Sequence, residues 1–399
     1  MRLAAFGLAL LGGTVTVAMG VRAAGAPGAG APIDVAELPS EPARLASVSL
    51  LLDLANAGPR LVAVGERGHV LLSDDAGRHW IQTRTPTQAL LTGVCFADAR
   101  HGIAVGHDEI ILASADGGYS WQRTHFAPQA QQPLLDVWCG PDGRAIAVGA
   151  YGVYMLSTDY GASWAEHKLE PTNEQPGKGA TTGGAGAKSG KGATTGGAGA
   201  KSGKGATTGA AGAKSGKGAT TGARSATPGS AAGAAPADLP DEIGGGYHLN
   251  AIAADEQRRL YIAAEAGHLY RSDDRGATWI TLPSPYEGSL FGVLPLPGGA
   301  VLAYGLRGNL FRSADAGASW QRIPTDTKAT LDGGAALGNG RVVVVGLSGV
   351  LLFSRDGGSS FSLLQQDDRK GLAAVRAVPG DTLVTVGEVG VKLIADPRS

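Results

Sequence analysis

The chain is short of the residues that carry most chemistry. Only two cysteines occur in 399 residues, and the formal net charge is −1. So neutral a balance makes no case for a nucleic-acid protein. The eight histidines, at 69, 79, 101, 107, 125, 167, 248 and 268, show no metal-ligand spacing. No Gly-x-Ser-x-Gly nucleophile elbow occurs. Ala187-Lys188-Ser189 lies among glycines but lacks the Gly-x-x-x-x-Gly-Lys-Ser/Thr spacing of a phosphate cradle, with no strand and helix around it. Helical periodicity is absent. The apolar run Leu3 to Met19 is short for a membrane span. With Arg2 before it and Val21-Arg22-Ala23 after it, residues 1–23 read as a secretory signal cleaved after Ala23, an uncleaved anchor being the alternative. The mature protein is then exported, to the periplasm if the source is Gram-negative. No cofactor, metal or catalytic residue is expected.

What the chain has instead is repetition. The stretch Val62-Ala-Val-Gly-Glu-Arg-Gly-His-Val-Leu-Leu-Ser-Asp-Asp-Ala-Gly-Arg-His-Trp80 returns six more times, the last copy incomplete. Gly65, Gly106 and Gly149 are 41 and 43 apart, and Gly305, Gly346 and Gly387 are 41 apart. The fourth copy has Ala264 at that place, 115 after Gly149, so roughly 74 extra residues intervene. Each copy reads as four strands. An apolar segment such as Leu134-Leu-Asp-Val-Trp138 comes first, then the Val-Ala-Val-Gly run. A tight glycine turn leads to a third strand, and a Ser-x-Asp-x-Gly box turns the chain into a fourth. Seven such units predict an all-β, seven-bladed β-propeller of four-stranded blades.

The division follows. A linker spans 24–32. Blades 1–3 span 33–170, and blades 4–7 span 246–399. Residues 171–245 between them repeat a 13-residue Gly/Ala/Lys/Thr unit and carry a charge balance of +4. With almost no side chain larger than Ala to bury, that insertion cannot offset its ordering entropy and is expected to be disordered. The seventh copy stops near Asp396, and Ile33-Asp-Val-Ala36 is expected to supply its missing outer strand, closing the ring.

Six boxes occur: Ser73/Asp75/Trp80, Ser114/Asp116/Trp121, Ser157/Asp159/Trp164, Ser272/Asp274/Trp279, Ser313/Asp315/Trp320 and Ser354/Asp356/Phe361. The serine and aspartate side chains suit a turn that bonds its own backbone, and glycine supplies the backbone freedom. The aromatic opens the next strand and is expected to fill space at the blade margin. A feature repeated in every blade points to structure, since a catalytic group is needed once. Cys95 and Cys139 lie one position out of register in neighbouring repeats, so on strands they take opposite faces. That suits a disulfide across adjacent sheets, and two buried thiols fit equally.

Variation between copies is greatest in the turns between second and third strands. These hold Glu66, Arg67, His107, Asp108, Glu109, Tyr151, Glu265, Arg307 and Glu388. Loops on a rigid scaffold are where specific contacts fall, and Arg67 and Arg307 lead the candidates. Arg271 and Arg312, each just before a box, are candidates to extend a basic patch.

The unit Ala-Val-Gly-x-x-Gly-x-(Leu/Ile)-x-x-Ser-x-Asp-x-Gly-x-Ser-Trp resembles the bacterial-neuraminidase, or Asp-box, repeat. One unit per blade over seven blades resembles the photosystem II stability and assembly factor family, across residues 33–170 and 246–399. That resemblance implies an exported, non-catalytic propeller that binds a protein partner of a membrane or envelope complex, partly through arginines. Arg271 and Arg312 match its basic position before the box, whereas Leu72, Ala113, Leu156 and Phe353 depart from it. A monomer without a membrane span after signal cleavage is expected. A carbohydrate- or cell-wall-binding propeller, with the Lys-rich insertion on an anionic polymer, is the alternative. A sialidase shares the box, but no Arg-Ile/Leu-Pro opens the repeats; Arg322-Ile323-Pro324 follows a box instead.

Overall fold

Seven antiparallel sheets follow one another around a ring, each beginning at an apolar segment next to the central axis. The computed structural model describes residues 34–172, 246–380 and 382–395. The expected signal and linker, Ile33 and the low-complexity insertion beyond Thr172 lie outside those residues. Blade 1 is Leu51–Ala57, Arg60–Gly65, Val70–Ser73 and Ile81–Thr83, in that order from the axis outward. Five more blades repeat this order, with inner strands Leu91–Phe96, Leu134–Cys139, Leu249–Ala254, Leu290–Pro295 and Leu331–Gly338. The seventh inner strand, Leu372–Val378, meets Leu51–Ala57 and closes the ring.

Alternation builds the core. Each second strand is buried along its length, as in Ala145–Gly149, except for half-buried first residues Arg60, Arg341 and Thr382. Its side chains point alternately into the interfaces with the preceding and following blades. Seven apolar clusters result, one per interface. The aromatic of each box packs on the blade before it: Trp121 lies with Leu72, Trp80 with Val384, and Phe361 with Leu302.

The boxes are turns that consume their own polar atoms. Ser73 Oγ donates to Asp75 Oδ1 at 2.9 Å and accepts the Gly77 N–H at 2.9 Å. Asp75 Oδ1 also accepts the N–H groups of Arg78 and His79. Asp116, Asp159, Asp274, Asp315 and Asp356 repeat the pattern, each with its second oxygen on the Ser or Thr hydroxyl four residues on.

The box aromatics are less uniform than the repeat suggests. Trp80, Trp121 and Trp164 donate their indole N–H to the box glycine carbonyl. In blade 4 the Tyr154 hydroxyl donates to that carbonyl, Gly276 O, and Trp279 donates to the Tyr154 oxygen at 3.4 Å instead. Trp320 of blade 5 differs from the other box tryptophans. Its Nε1 is buried and has no hydrogen-bond partner among the described residues. Its surroundings are apolar: the indole packs in the cluster that holds Ile280 and Leu282 of blade 4. Leu282 also lies over the box glycine, since a Cβ on Gly317 would stand 2.6 Å from Leu282 Cδ1. Trp320 therefore keeps the packing role of the box aromatic and loses the polar one.

Two larger departures from the repeat stand out. The segment expected to complete blade 7 is not a strand: Val35–Glu37 is a 3-10 turn, because Asp34 captures the Ala36 N–H with its own carboxylate. The chain then runs beside blade 1, bonded through Ala36, Pro39 and Ser40 to Thr87, Gln88 and Thr85. Blade 7 therefore has three strands among the described residues, ending at Gly390–Ala395. At the other departure, Pro171–Thr172 is a strand parallel to Trp279–Thr281, giving blade 4 a fifth strand. The blade framework thus reaches two residues past the expected boundary at 170.

Candidate interaction surface

The turn between second and third strands is built the same way in six blades, and its construction explains what it displays. The last residue of the second strand lies against the start of its own inner strand. A Cβ on Gly65 would stand 2.1 Å from the Leu50 carbonyl oxygen, and one on Gly346 2.1 Å from that of Thr330. The next N–H, that of Glu66, donates to Leu50 O at 3.1 Å. The residue after that takes a left-handed conformation: Arg67 φ 54°, Asp108 φ 60°, Tyr151 φ 55°, Ala266 φ 51°, Arg307 φ 57° and Ser348 φ 58°. A glycine follows in five copies and Glu109 in the other; in blades 1, 4 and 5 the glycine packs under a loop carbonyl, so that a Cβ on Gly68 would meet Thr87 O at 2.0 Å. Thr85 Oγ1 and Thr325 Oγ1 clamp this turn by donating to the carbonyls of Gly68 and Gly308. The left-handed residue is exposed in five of these turns, and Asp108 is half-buried.

Arg67 and Arg307 are exposed and make no ion pair among the described residues. They stand on blades 1 and 5, which are not neighbours, so the structure does not join them into one patch. Tyr151 is 54% exposed and meets the ring of His248 edge-on at 5.0 Å. The His248 backbone N–H donates to Glu265 Oε2 at 3.0 Å. Glu66 is half-buried, whereas Glu109 is buried and contacts His125 Nε2 at 3.2 Å. Arg271 and Arg312 do different work. Arg271 donates to the Ala316 carbonyl of the next blade at 2.9 Å and to Asp273 at 3.0 Å, and Arg312 to the Gly357 carbonyl at 2.9 Å. Arg60 reaches Gly117 in the same manner. These three guanidinium groups tie one blade to the box of the next.

Sequence reasoning missed the central channel, a cavity of about 470 Å³ lined by the inner strands. Along it lie half-buried Asp53, Asp136, Asp332 and Arg376 and buried Tyr304. Asp53 accepts the Val94 N–H of blade 2 at 2.8 Å, and Asp136 the Ile252 N–H of blade 4 at 2.8 Å. Thr92 donates to Leu134 O and Asn250 to Leu290 O, so four consecutive interfaces carry a polar tie at the axis. A disulfide, Cys95–Cys139, adds a covalent one between blades 2 and 3. Burial raises Asp136 to about 7, and the charge of Asp53 adds to it. Burial also raises Asp332 to about 6 and raises Asp53, the latter opposed by Arg376. The signal was present: Leu-x-Asp opens the inner strands of blades 1 and 3 alone. The channel opens toward the turn face through a mouth lined by Leu50, Leu135, Phe291, Leu347, His248 and Glu388. Among the described residues no group of three or more His, Cys, Asp or Glu is placed to hold a metal ion. None of their helices is long and apolar enough to cross a membrane.

Fold and surface together define a seven-bladed Asp-box propeller, a scaffold that displays side chains from a fixed turn. Residues 72–235 match the family described as photosynthesis system II assembly factor YCF48, in line with the resemblance read from the boxes. Two solved structures share the fold. One is YCF48 bound to D1 peptide, with TM-score 0.57 and 14% identity, covering 89% of this chain and 98% of that one. The other is YCF48 from Cyanidioschyzon merolae, with TM-score 0.57 and 14% identity, covering 90% and 98%. The WD40 propeller domain of Doa1 is similar too, with TM-score 0.56 and 10% identity, covering 91% and 97%. No curated protein matches the chain in sequence.

Proposed function

We propose that this chain is an exported, non-catalytic propeller that binds a protein partner and assists assembly of a membrane or envelope complex. One observation carries the reading. A turn with one shared left-handed position, in six blades, carries Arg67, Asp108, Tyr151, Ala266, Arg307 and Ser348 there, all exposed except half-buried Asp108. A constant frame with a varied display is the form of a recognition surface. The box carboxylates, which recur in six blades, are occupied by their own turns. The family matched over residues 72–235 and the peptide-bound structure support a protein as partner. The Cys95–Cys139 disulfide supports an oxidising compartment, in keeping with the signal read at residues 1–23. The chain acts as a monomer in this reading.

Crosslinking capture of the mature chain from its native envelope tests it, with an Arg67→Ala/Arg307→Ala double variant alongside. A subunit of a membrane complex, recovered by the wild type and lost by the double variant, is the expected result. Recovery of background proteins alone in every arm overturns the assembly role.

A further inference from the structure

Two polar side chains of the central channel are not paired by the ring around them. The first is Tyr304, opposite Gly292 of its own inner strand. In the six other blades this place holds Val or Ala, as at Val64 and Ala263. Two glycines make room for the larger ring. A Cβ on Gly292 would stand 2.1 Å from Tyr304 Cε2, and one on Gly334 of blade 6 would stand 2.8 Å from the Tyr304 hydroxyl. The side chain thus crosses from blade 5 to the inner strand of blade 6, with its hydroxyl at the channel wall. Tyr304 is only 3% exposed, yet that hydroxyl has no hydrogen-bond partner among the described residues. Packing alone would be met equally by Phe. The second is Asp332. At its place on the inner strands of blades 2 and 4, Thr92 and Asn250 donate to a carbonyl of the next blade. An ionised carboxylate has no proton to donate in that way. Asp332 makes no hydrogen bond among the described residues, and its Oδ2 is buried. It lines both the channel and the mouth above it.

We propose that the channel binds an alkylammonium group between the Asp332 carboxylate and the Tyr304 hydroxyl, its apolar stem lying in the mouth against Leu135 and Phe291. The charges of Asp332, Asp136 and Arg376 all act on Tyr304, and that of Asp53 acts on Asp136, so these groups face one space. Three carboxylates against one guanidinium make that space acidic. Arg376 already donates to the Val375 carbonyl at 2.8 Å. Asp53 and Asp136 accept one backbone N–H on each oxygen and keep room for a further donor. Carboxylates held away from water without a counter-ion are unfavourable, and a bound cation offsets that cost. An ammonium gives three protons and accepts none, which suits a wall of acceptors. Leu135 and Phe291 line the mouth, where a methylene stem can be buried while its head reaches a polar group. In the protein-binding reading, on which this part rests, the group is a lysine of the partner; a free diamine carries the same chemistry.

Isothermal titration of the full chain with defined probes tests this. The probes are cadaverine, the peptide acetyl-Leu-Lys-Leu-amide and the same peptide with norleucine in place of lysine. Saturable binding of an ammonium probe is expected, weakened about tenfold or more by Asp332→Asn and about threefold or more by Tyr304→Phe. The norleucine peptide should not bind. Cadaverine bound without the lysine peptide assigns the site to a free amine. The lysine peptide bound, with or without cadaverine, supports a lysine of the partner. Both substitutions keep the shape of the side chain, and a urea melt checks that the variants fold. If neither ammonium probe binds saturably, the proposal is overturned. Affinity unmoved by both substitutions places the probe elsewhere, and norleucine bound as well as lysine leaves a merely apolar site; either result also overturns it. Glutarate, a dicarboxylate of matching length, bound more tightly than cadaverine would give the channel to Arg376 and an anion instead. These outcomes are read on known molecules, so they hold whether or not a partner is captured from the envelope.

Discussion

Asp136 on the inner strand of blade 3 accepts the N–H of Ile252 on the inner strand of blade 4 at 2.8 Å, although 116 positions separate them. The contact holds together the two parts of the ring on either side of the insertion. Removing the acceptor leaves a buried N–H unpaired, so Asp136→Ala is expected to cost about 1–3 kcal/mol. Its ionisation adds a pH signature. The folded-state pKa is raised to about 7 from an ordinary 3.8. The folded chain therefore holds a proton that the unfolded chain has released between those values. Stability from this group is full below pH 3.8 and is lost as pH rises through about 7. Asp332, raised to about 6, acts in the same direction.

The surface carboxylates act oppositely. Hydrogen bonding with the His101 side chain, more than any other effect, holds Asp98 at about 2. Burial pulls Asp356 up, but the Ser360 hydroxyl and N–H outweigh it and hold it at about 2. Their contribution is present above pH 3.8 and lost as pH falls toward 2. Urea midpoints are therefore expected to peak in mildly acid solution and fall on both sides. Asp136→Asn should flatten the limb above the peak while leaving the acid limb in place. A wild-type midpoint that rises steadily from pH 5 to 8 contradicts this assignment.

The Cys95–Cys139 bridge closes a loop with a sequence separation of 44 at the channel wall. In the chain-entropy account, a loop of that size stabilises by about 4 kcal/mol. The double Cys→Ser variant is expected to unfold at lower urea than the wild type. Added reductant should lower the wild-type midpoint toward that of the variant and leave the variant unmoved. A midpoint insensitive to reductant means that the bond contributes little.

Most of the architecture was legible because period and turn chemistry are local. Val-Ala-Val-Gly recurs at about 41 residues, and each Ser-x-Asp-x-Gly box folds on itself. What escaped depends on contacts between distant residues. Val35-Ala36 looks like strand, but Asp34 caps its own backbone and Thr87 binds the Ala36 carbonyl, which removes those groups from sheet pairing. Pro171-Thr172 looks like linker, and only the edge of Trp279–Thr281 makes it a strand. Trp320 looks in sequence like Trp80 or Trp121, yet its buried N–H stays unpaired among the described residues while theirs are bonded. Arg271 and Arg312 looked like surface charges until the ring set the next blade's carbonyl within 2.9 Å of each. Asp53 and Asp136 look like ordinary strand residues until seven inner strands converge and set them, half-buried, along the channel.

Gly65 and Ala264 occupy the same turn position and offer an internal control. Gly65 packs so tightly that a Cβ would stand 2.1 Å from the Leu50 carbonyl oxygen. Blade 4 accommodates Ala264 with φ −138°, against −176° for Gly65, and keeps the Glu265 N–H to His248 O bond at 3.0 Å. Gly65→Ala is therefore expected to destabilise by about 2–3 kcal/mol as the turn shifts to relieve the contact. Ala264→Gly should cost no more than about 1 kcal/mol, the ordinary entropic effect of glycine in a strand. Thermal melts of the two variants decide. Equal losses show that the close approach is not what selects glycine.

The four candidate arginines separate by what they touch, and this allows binding to be told apart from stability. Arg271 and Arg312 are hydrogen bonded across blade interfaces, Arg271 with a side chain only 12% exposed. Truncating either removes the packing of its stem and leaves a carbonyl of the next blade without that donor. Arg271→Ala and Arg312→Ala are each expected to cost about 1–2 kcal/mol, seen as a lower urea midpoint. Arg67 and Arg307 stand exposed at left-handed turn positions, so their alanine variants should stay within about 0.5 kcal/mol of wild type. A loss of partner capture in Arg67→Ala/Arg307→Ala, with an unchanged midpoint, then belongs to the surface itself. A loss in Arg271→Ala with a lowered midpoint would reflect a loosened ring. If instead Arg271→Ala keeps the wild-type midpoint, its cross-blade bond contributes nothing to stability, and the basic position before the box returns as a contact residue.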